Sequence, residues 1–514
     1  MIQSQIILGF IASTEFAKEM VPMYNPKYIE SKMAKLVIGW CVSYYNEFQE
    51  APKMVIQQLY FKALKDGLDE SMAQEIEEDI LPDLNERYIS EGINVELLIR
   101  DTKAYFQERS LKIHNDEVAE LLEAGEVEEA QAKISSYRPW EGSKINYIDL
   151  SKVDALIKVK NALNEAFLPL FHFPGALGEF LNSQLIAGGF IAFLASEKRG
   201  KTWWLLEMAI TAARQHKKVA FFQAGDMTES QQLKRIATYL TKKPSDEKYL
   251  GESWEAVKDC VHNQLDTCDH EDRECSFGPF SEAGMQAEEL RNKIDKDMIL
   301  EAIKTYPDYK PCHNCAKYKT EKWGSVWMKR EDITEVLTAK SAVLAVKKFF
   351  MKFKREFRIS THANGTLSVN NIKNILKDWE KEDGFVPDLI IIDYADILIS
   401  DVKTEFRHQE NEKWKALRGL SQIKPWLVVT VTQADAKSYD AVTLKQSNFS
   451  EDKRKYAHVT AMYGINQDPH GREKKIGLMR LNELVIREGD GLTSNVVHVL
   501  QNLKVGKPFL TSYM

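Results

Sequence analysis

The spacing of apolar residues divides the chain into a helical first part and a second part in which strands and helices alternate. Leu, Ala, Glu and Lys dominate segments of residues 1–135 such as Met72 to Leu81 and Val118 to Ile134. These residue types favour helix, and no convincing strand pattern interrupts them. We therefore predict an all-helical N-terminal domain over residues 1–135.

A linker with a short amphipathic helix follows this domain. Pro139 and the polar segment Glu141-Gly142-Ser143 end the helical pattern, so we place the linker at residues 136–170. Within it, one helical face carries the apolar residues Val153, Leu156, Ile157, Leu163 and Phe167. A helix with an apolar face must pack on something, either its own domain or a neighbouring subunit of a ring.

Short, continuously apolar runs mark the second part of the chain. The best strand candidates are Phe190 to Leu194, Val219 to Phe222, Leu389 to Ile392 and Leu427 to Val431. Such runs, separated by helical segments, are typical of a mostly parallel sheet with both faces covered, so we predict an α/β domain over residues 171–514. The interval between the second and third candidates exceeds any ordinary crossover, which predicts an insertion at about 242–345.

Composition limits the class of protein without choosing its function. The 514 residues are 44% hydrophobic and 28% charged, which excludes disordered and low-complexity classes. The net charge of −7 means that a nucleic-acid partner would need a locally basic surface. No apolar run reaches the roughly 18 residues of a membrane span, and the first residues lack a cationic signal start. We expect a cytoplasmic protein with no membrane partner.

A phosphate-binding loop follows the first strand candidate directly. The segment Ala195-Ser196-Glu197-Lys198-Arg199-Gly200-Lys201-Thr202 lies between a strand and a helix, which is the context such a loop requires. Backbone N–H groups at the helix start can surround phosphates, Lys201 can neutralise the β and γ oxygens, and the Thr202 hydroxyl can ligate Mg²⁺. ATP and Mg²⁺ are the predicted cofactors. The alternative is an accidental Gly-Lys-Thr sequence at an ordinary turn.

Two aspartates follow other strand candidates. Asp393 ends the third candidate, so its carboxylate lies at the edge of the sheet where ligands bind and can hold Mg²⁺ through water. Asp226 follows the second candidate and could polarise the attacking water. The alternative for Asp226 is that it caps the helix beginning near Thr228.

Polar residues at the same edge could respond to the nucleotide and to DNA. Gln433 closes the fourth candidate, where its amide could sense the γ-phosphate, although a solvated glutamine is the commoner case. Two polar segments follow the strands, Asp401 to Glu412 and Ala434 to Lys455. Their basic residues could contact a nucleic-acid backbone or be solvated surface charge; they are Lys403, Arg407, Lys437, Lys445, Lys453, Arg454 and Lys455.

The insertion contains five of the six cysteines, which predicts a metal site. Cys312 and Cys315 are separated by two residues, so both sulfurs can reach one tetrahedral Zn²⁺ from a tight turn. Cys260 and Cys268 are the favoured partners, Cys275 is a possible substitute, and His262, His270 and His313 are further alternatives. We predict a structural zinc that stabilises the insertion, against the alternative of buried reduced cysteines.

The order of these parts resembles the DnaB-type replicative helicases, especially the divergent bacteriophage forms. Ala195 to Thr202 looks like that family's phosphate loop, and Ile392 to Asp396 looks like its Walker B signature. Asp226 lies where the family usually has a catalytic glutamate, and Gln433 lies like its DNA-coupling glutamine. Arg487 resembles the arginine finger that one subunit supplies to the next.

The resemblance implies a RecA-like P-loop ATPase that forms a hexamer, translocates on single-stranded DNA and works with a primase and a loader. Asp226 is one methylene shorter than the family's glutamate, and Val485 replaces a second trans-acting lysine, which leaves that task to Arg487. The cysteine-bearing insertion is absent from ordinary bacterial members. Two alternatives remain at this stage, a recombinase-like or remodelling RecA-fold ATPase and a degenerate ATPase that acts as a replisome scaffold.

Overall fold

The computed structural model describes residues 2–80, 94–136, 150–165, 168–314, 323–402, 405–448, 453–487 and 494–514. The chain separates into two compact units, Met1–Lys152 and Val153–Met514. No helix within the described ranges combines the length and the apolarity needed to cross a bilayer.

Helices make up the regular structure of the described part of the first unit. Its α-helices are Ile2–Ala12, Thr14–Met20, Lys32–Phe48, Val55–Lys65, Glu70–Glu75, Val95–Glu123 and Val127–Ser136. The side chains of Ser13, Ser31 and Asn94 cap three of them by accepting a backbone N–H. Phe10 and Phe106 are fully buried in the core of this unit.

A nine-stranded sheet, counted over the described residues, forms the centre of the second unit in the order β11-β10-β9-β8-β1-β7-β6-β2-β5. The six strands from β8 to β5 in this order are parallel, and β9, β10 and β11 extend the sheet in antiparallel fashion. The bounds are β1 Phe190–Ala195, β2 Val219–Gln223, β5 Phe357–Thr361, β6 Leu389–Asp393, β7 Leu427–Gln433, β8 Ala461–Asn466, β9 Leu478–Ile486, β10 Val496–Asn502 and β11 Lys507–Tyr513.

The four strand candidates are therefore confirmed as β1, β2, β6 and β7, within a mixed α/β fold that has a large parallel sheet. They read as continuous apolar runs because both faces of the sheet are covered. Phe193 of β1 packs with Trp204 on one face, whereas Phe190 and Leu194 pack with Trp414 on the other. The covering helices bring the site loops to the carboxyl edge of the sheet.

The helices of the second unit, as far as the structure describes it, are Val153–Glu165, Gly175–Leu181, Lys201–Arg214, Glu229–Thr241, Val261–Gln264, Ala287–Lys293, Lys296–Thr305, Ala339–Val346, Val369–Asp383, Phe406–Ile423 and Arg472–Ile476. The first of these is the predicted amphipathic helix. Its apolar residues Leu156, Ile157 and Leu163 are 65%, 57% and 68% exposed. The single chain therefore leaves this apolar face uncovered.

The segment predicted as an insertion contains its own two-stranded antiparallel sheet, β3 Gly251–Cys260 with β4 Gly324–Ile333. This sheet packs against the last strands of the main sheet. Ala256 and Trp327 share a hydrophobic cluster with Leu500 and Tyr513. A Cβ on Gly324 would lie 2.3 Å from Cβ of Tyr513, so only glycine permits this close packing.

Candidate nucleotide-binding site

The phosphate loop connects β1 to the helix Lys201–Arg214. Gly200 is the N-cap of that helix in the left-handed conformation, with φ of 86°, which glycine adopts at little cost. The ammonium group of Lys201 lies 3.5 Å from the carbonyl oxygen of Ala195, so the lysine folds back over the loop. Backbone N–H groups at the helix start and the lysine charge thus face the same space, as phosphate binding requires.

Side chains of the loop hold it to neighbouring strands. The hydroxyls of Ser196 and Ser438 are 2.8 Å apart. The Gln433 amide donates to the Glu197 carboxylate at 3.0 Å. Arg199 donates to the carbonyl oxygen of Gln467 at 2.8 Å. These contacts fix the loop from both sides and place Lys198, whose side chain is exposed, at the cavity entrance.

Asp393 and Thr202 meet below the loop. Asp393 is 1% exposed at the end of β6, and its carboxylate accepts a hydrogen bond from the Thr202 hydroxyl. Burial raises the pKa of Asp393 to about 6, and the nearby Asp226 carboxylate adds to this rise. A hydroxyl beside a buried carboxylate is the donor set that Mg²⁺ with ATP uses in P-loop proteins, so these residues fit that metal.

Lys201 experiences several carboxylates at once. Burial lowers the pKa of Lys201, and the charges of Asp396, Asp393, Asp226 and Glu197 oppose this effect. The predicted lysine and the predicted aspartates therefore lie close enough to interact. A cation surrounded by acids and only partly solvated is suited to bind the oxygens of a phosphate chain.

Asp226 is exposed in the turn between β2 and the helix Glu229–Thr241. That helix is capped by Thr228, which forms a reciprocal capping box with Gln231. Asp226 is therefore not the helix cap. It lines the cavity beside the phosphate loop, where its carboxylate could orient a water molecule.

Arg235 is a site residue that the sequence did not indicate. It lies on the helix Glu229–Thr241, lines the same cavity and has its guanidinium 5.1 Å from the ring centroid of Trp203. Burial lowers the pKa of Arg235, and the charges of Asp393 and Asp226 oppose the shift. Its place on an amphipathic helix looks like ordinary surface charge, so only the fold reveals it.

A buried ion-pair network adjoins Gln433. The Asp396 carboxylate accepts the backbone N–H of Gln433 at 2.8 Å. The Lys455 ammonium lies 3.1 Å from Asp396 and 3.3 Å from Glu410, and its side chain is fully buried. The prediction that Lys455 contacts nucleic acid is therefore wrong, because its charge is used inside the protein.

The other predicted DNA contacts divide into three groups. Arg407, Lys445 and Arg454 are exposed, although the Arg454 guanidinium also donates to the carbonyl oxygen of Arg407. The structure describes the backbone alone at Lys437 and Lys453. Lys403 lies outside the described residues.

Arg487 directly follows β9, so a late strand ends where the sequence predicted. Its backbone N–H donates to the carbonyl oxygen of Thr460 at 2.9 Å, and its exposed guanidinium donates to that of Ala457. The side chain reaches the surface of the chain. The following residues 488–493 lie outside the described part.

The phosphate loop opens into a cavity of about 1260 Å³. Lys198, Gly200, Asp226 and Arg235 line one end of it. Basic lining residues outnumber the acidic ones, Asp226 and Asp297, among the residues that the structure describes. The cavity therefore suits a polyanion such as the triphosphate of a nucleotide.

The cysteines of the insertion lie in two places. Cys260, Cys268 and Cys312 line a second cavity of about 240 Å³ together with His270. Within the described residues, no group of three or more His, Cys, Asp or Glu side chains is arranged to hold a metal, so the predicted zinc is not supported. Cys315 lies outside those residues.

The remaining candidates for metal ligands have other surroundings. Cys275 is buried in the hydrophobic cluster of the insertion. His262 packs edge-on against Trp323 at 4.6 Å and has Nδ1 2.7 Å from the Thr267 hydroxyl. His313 does not line the cysteine cavity, as far as the structure describes it.

Comparison with solved structures identifies the fold. The chain is similar to a DnaB-like replicative helicase solved with its interactions with primase, with a TM-score of 0.54, 12% identity, and 98% of each chain covered. A second solved structure, an isolated ATPase domain, has a TM-score of 0.45, 11% identity, and coverage of 70% of this chain and 98% of that one. No family model and no curated protein matches. The first likeness shows the fold of a DnaB-like helicase, which contains a RecA-like ATPase domain.

Proposed function

We propose that this protein is an ATP-driven replicative DNA helicase that forms a ring, translocates on single-stranded DNA and separates the duplex at a replication fork. The observation that carries this proposal is the meeting of Lys201, Thr202, Asp393 and Asp226 at one edge of the parallel sheet. These side chains follow three different strands, yet together they supply the charges that phosphoryl transfer needs.

The proposed chemistry divides among these residues. Lys201 and the backbone N–H groups after Gly200 bind the β and γ phosphates of ATP. Thr202 and Asp393 would hold Mg²⁺, which neutralises charge on the same oxygens when bound. Asp226 orients the attacking water and accepts its proton. Arg235, whose charge acts on both aspartates, would stabilise the negative charge that develops on the γ-phosphate.

Coupling to DNA is proposed to pass through Gln433. Its amide contacts Glu197 in the phosphate loop, and its backbone N–H is held by Asp396. The segments on either side of this point carry the exposed Arg407, Lys445 and others that we propose as DNA contacts. A change at the γ-phosphate can therefore reach the DNA-facing segments through one side chain.

Assembly into a ring, most simply a hexamer, is supported by the uncovered face of the helix Val153–Glu165. Leu156, Ile157 and Leu163 are exposed in the single chain, so a second subunit is a natural partner for them. Arg487 would act across the subunit boundary, where its guanidinium stabilises charge on a neighbour's phosphates. Primase and a loader are proposed partners, and the host cytoplasm is the proposed location if the protein is from a bacteriophage.

A structural zinc in the insertion is a separate proposal. Asp259 accepts the backbone N–H of Cys260 at 2.7 Å and of Cys312 at 2.8 Å, so one buried carboxylate holds both cysteine backbones near one another. Cys268 lines the same cavity, and Cys315 is three residues beyond Cys312. These four thiols are the proposed ligands, with Cys275 as the alternative.

An ATPase assay on size-fractionated protein, with and without single-stranded DNA, tests the main proposal. We expect a large oligomer whose ATP hydrolysis is stimulated by DNA and abolished by Lys201→Ala. Lys377→Ala, which changes an exposed lysine on the helix Val369–Asp383, is the matched control. Stimulation in a monomeric fraction would exclude the ring. Hydrolysis without any response to DNA would favour another RecA-fold ATPase, and no hydrolysis would favour a degenerate scaffold.

A further inference from the structure

The insertion forms one wall of the cavity that begins at the phosphate loop. Trp254 and Ala256 of β3 line it, as do Tyr249 before this strand and Leu300 on the helix Lys296–Thr305. At the other end of the same cavity lie Lys198, Arg199 and Gly200. A segment outside the core α/β pattern thus shares a binding cavity with the residues proposed to hold phosphates.

A short series of contacts connects the phosphate loop to this wall. A Cβ on Gly200 would lie 3.5 Å from Cδ1 of Leu503, so the loop after β10 covers the start of the phosphate-binding helix. The preceding residue, Asn502, donates its amide N–H to the Glu255 carboxylate at 3.4 Å. Glu255 is flanked by the two cavity residues of β3. The wall therefore lies within a few residues of the phosphate loop.

The wall is held firmly in this position. The Lys507 ammonium donates to Glu255 at 2.6 Å, which ties β3 to the first residue of β11. Cβ of Ala256 is 3.5 Å from the position that a Cβ on Gly477 would take. Ile476 and Leu500 pack in the same hydrophobic cluster as Ala256. The wall is consequently part of the packed structure, with its side chains placed before any ligand binds.

The chemistry of the cavity changes from one end to the other. The phosphate-loop end offers backbone N–H groups and the cations Lys201 and Arg235, which suit the triphosphate. The insertion end offers aromatic and aliphatic side chains. A nucleoside triphosphate has the same polarity, with anionic oxygens at one end and a flat, weakly polar base at the other.

We propose that the insertion is part of the nucleotide-binding site and that Trp254 stacks on the base of the bound nucleoside triphosphate. Its indole N–H already donates to Glu252 at 3.1 Å, so the ring face is what remains for a ligand. Stacking on an aromatic ring accepts every base, because each base has a π face. This inference rests on the proposed ATPase function and adds that affinity for nucleotide depends on the insertion.

Equilibrium binding to the full-length chain tests it, with two Mg²⁺-bound probes: a non-hydrolysable ATP analogue and inorganic tripolyphosphate, which lacks base and ribose. We expect Trp254→Ala to weaken binding of the analogue roughly tenfold and to leave tripolyphosphate binding unchanged. Trp254→Phe should retain most of the affinity. Trp323→Ala is the matched control, since Trp323 also belongs to the insertion but does not line this cavity.

Each result has a distinct meaning. Unchanged affinity of Trp254→Ala for the analogue would overturn the base contact while leaving the ATPase proposal in place. An equal loss for both probes would also overturn it, since the tryptophan would then act on the phosphate end or on folding. Thermal unfolding of each variant separates these two cases. If the wild-type chain binds neither probe, the ATPase proposal itself fails.

Discussion

The ammonium group of Lys455 lies 3.1 Å from a carboxylate oxygen of Asp396, and the lysine side chain is completely buried. Glu410 approaches the same ammonium at 3.3 Å, and Asp396 also accepts the Thr432 hydroxyl at 2.8 Å. This network joins the end of β6, the end of β7 and the helix Phe406–Ile423. It fixes the segment after β7 next to the proposed catalytic edge.

Lys455→Met should destabilise the protein strongly, because it leaves Asp396 and Glu410 buried without this cation. Breaking a buried pair by removing one partner costs about 3–5 kcal/mol. Urea unfolding of the variant should show that loss, whereas Lys445→Met, at an exposed position, should change the unfolding free energy by less than about 0.5 kcal/mol. A loss below about 1 kcal/mol for Lys455→Met would mean that water or rearrangement replaces the pair.

Asp226→Asn should retain ATP binding and lose most of the turnover, since the amide cannot accept the proton of the attacking water. Lys201→Ala should abolish hydrolysis without unfolding the chain, because the lysine charge acts on phosphates and its removal opens no core cavity. Steady-state hydrolysis and thermal unfolding measured together distinguish the two. Unchanged turnover of Asp226→Asn would assign the proton acceptor to another residue.

Mixing two inactive variants tests whether Arg487 acts in trans. An Arg487→Ala chain keeps its own Lys201 but has no arginine to supply to its neighbour, and a Lys201→Ala chain has the opposite defect. Mixed rings would contain some complete sites, so ATPase activity should rise above that of either parent. If subunit exchange is demonstrated and no activity returns, Arg487 is an ordinary surface arginine.

Purified protein should contain one zinc ion per chain, measured by elemental analysis, with ligands drawn from Cys260, Cys268, Cys275, Cys312 and Cys315. Cys312→Ser should lose the metal and destabilise the insertion, because ligand loss removes the energy of metal binding from folding. Cys41→Ser, in the first unit, is the control that should keep the zinc. A metal-free protein whose insertion thiols all titrate freely would rule the site out.

Protein stability should fall below about pH 6.5 partly because of His498. Burial lowers the pKa of His498 to about 3, and Arg291 and Arg480 oppose its protonation further. The ring stacks on Tyr513 at 4.7 Å. As the pH falls through the pKa of an unfolded histidine, the unfolded chain gains a proton that the folded chain does not bind, so unfolding becomes easier.

The comparison is between the wild type and His498→Phe, which keeps the stacking and cannot titrate. Between about pH 7.5 and 5.5 the wild type should lose about 1.4 kcal/mol more unfolding free energy than the variant. His408→Phe, which changes an exposed histidine, should behave like the wild type. Parallel pH dependence of the wild type and His498→Phe would show that the ring protonates in the folded state.

The parallel core could be predicted from sequence because burial on both faces leaves a local record. Phe190 to Leu194 and Leu389 to Ile392 are apolar without interruption, as strands are when helices cover both faces of a parallel sheet. The phosphate loop was recognisable for a similar reason, since its function requires particular residues between a strand and a helix. β5 was missed because its residues Phe357–Thr361 alternate in polarity and are only half-buried at the edge of the sheet.

Charged residues were harder to interpret because their roles depend on distant parts of the chain. Lys455 resembles the basic residues around it, and only the approach of Asp396 and Glu410 accounts for its burial. Arg235 has the sequence pattern of a solvated helix face. Its interaction with Asp393, more than 150 residues away in sequence, exists only once the sheet has formed.

The hydrophobic cluster that the insertion shares with the last strands has a consequence for how such a segment could be gained or lost. Ala256 and Trp327 cover Leu500 and Tyr513, so excising the insertion would uncover apolar surface on the sheet itself. A shortened chain would have to replace those contacts with polar residues in β10 and β11 to stay soluble. The insertion and the chain terminus are therefore expected to change together during evolution, as a single unit of sequence variation.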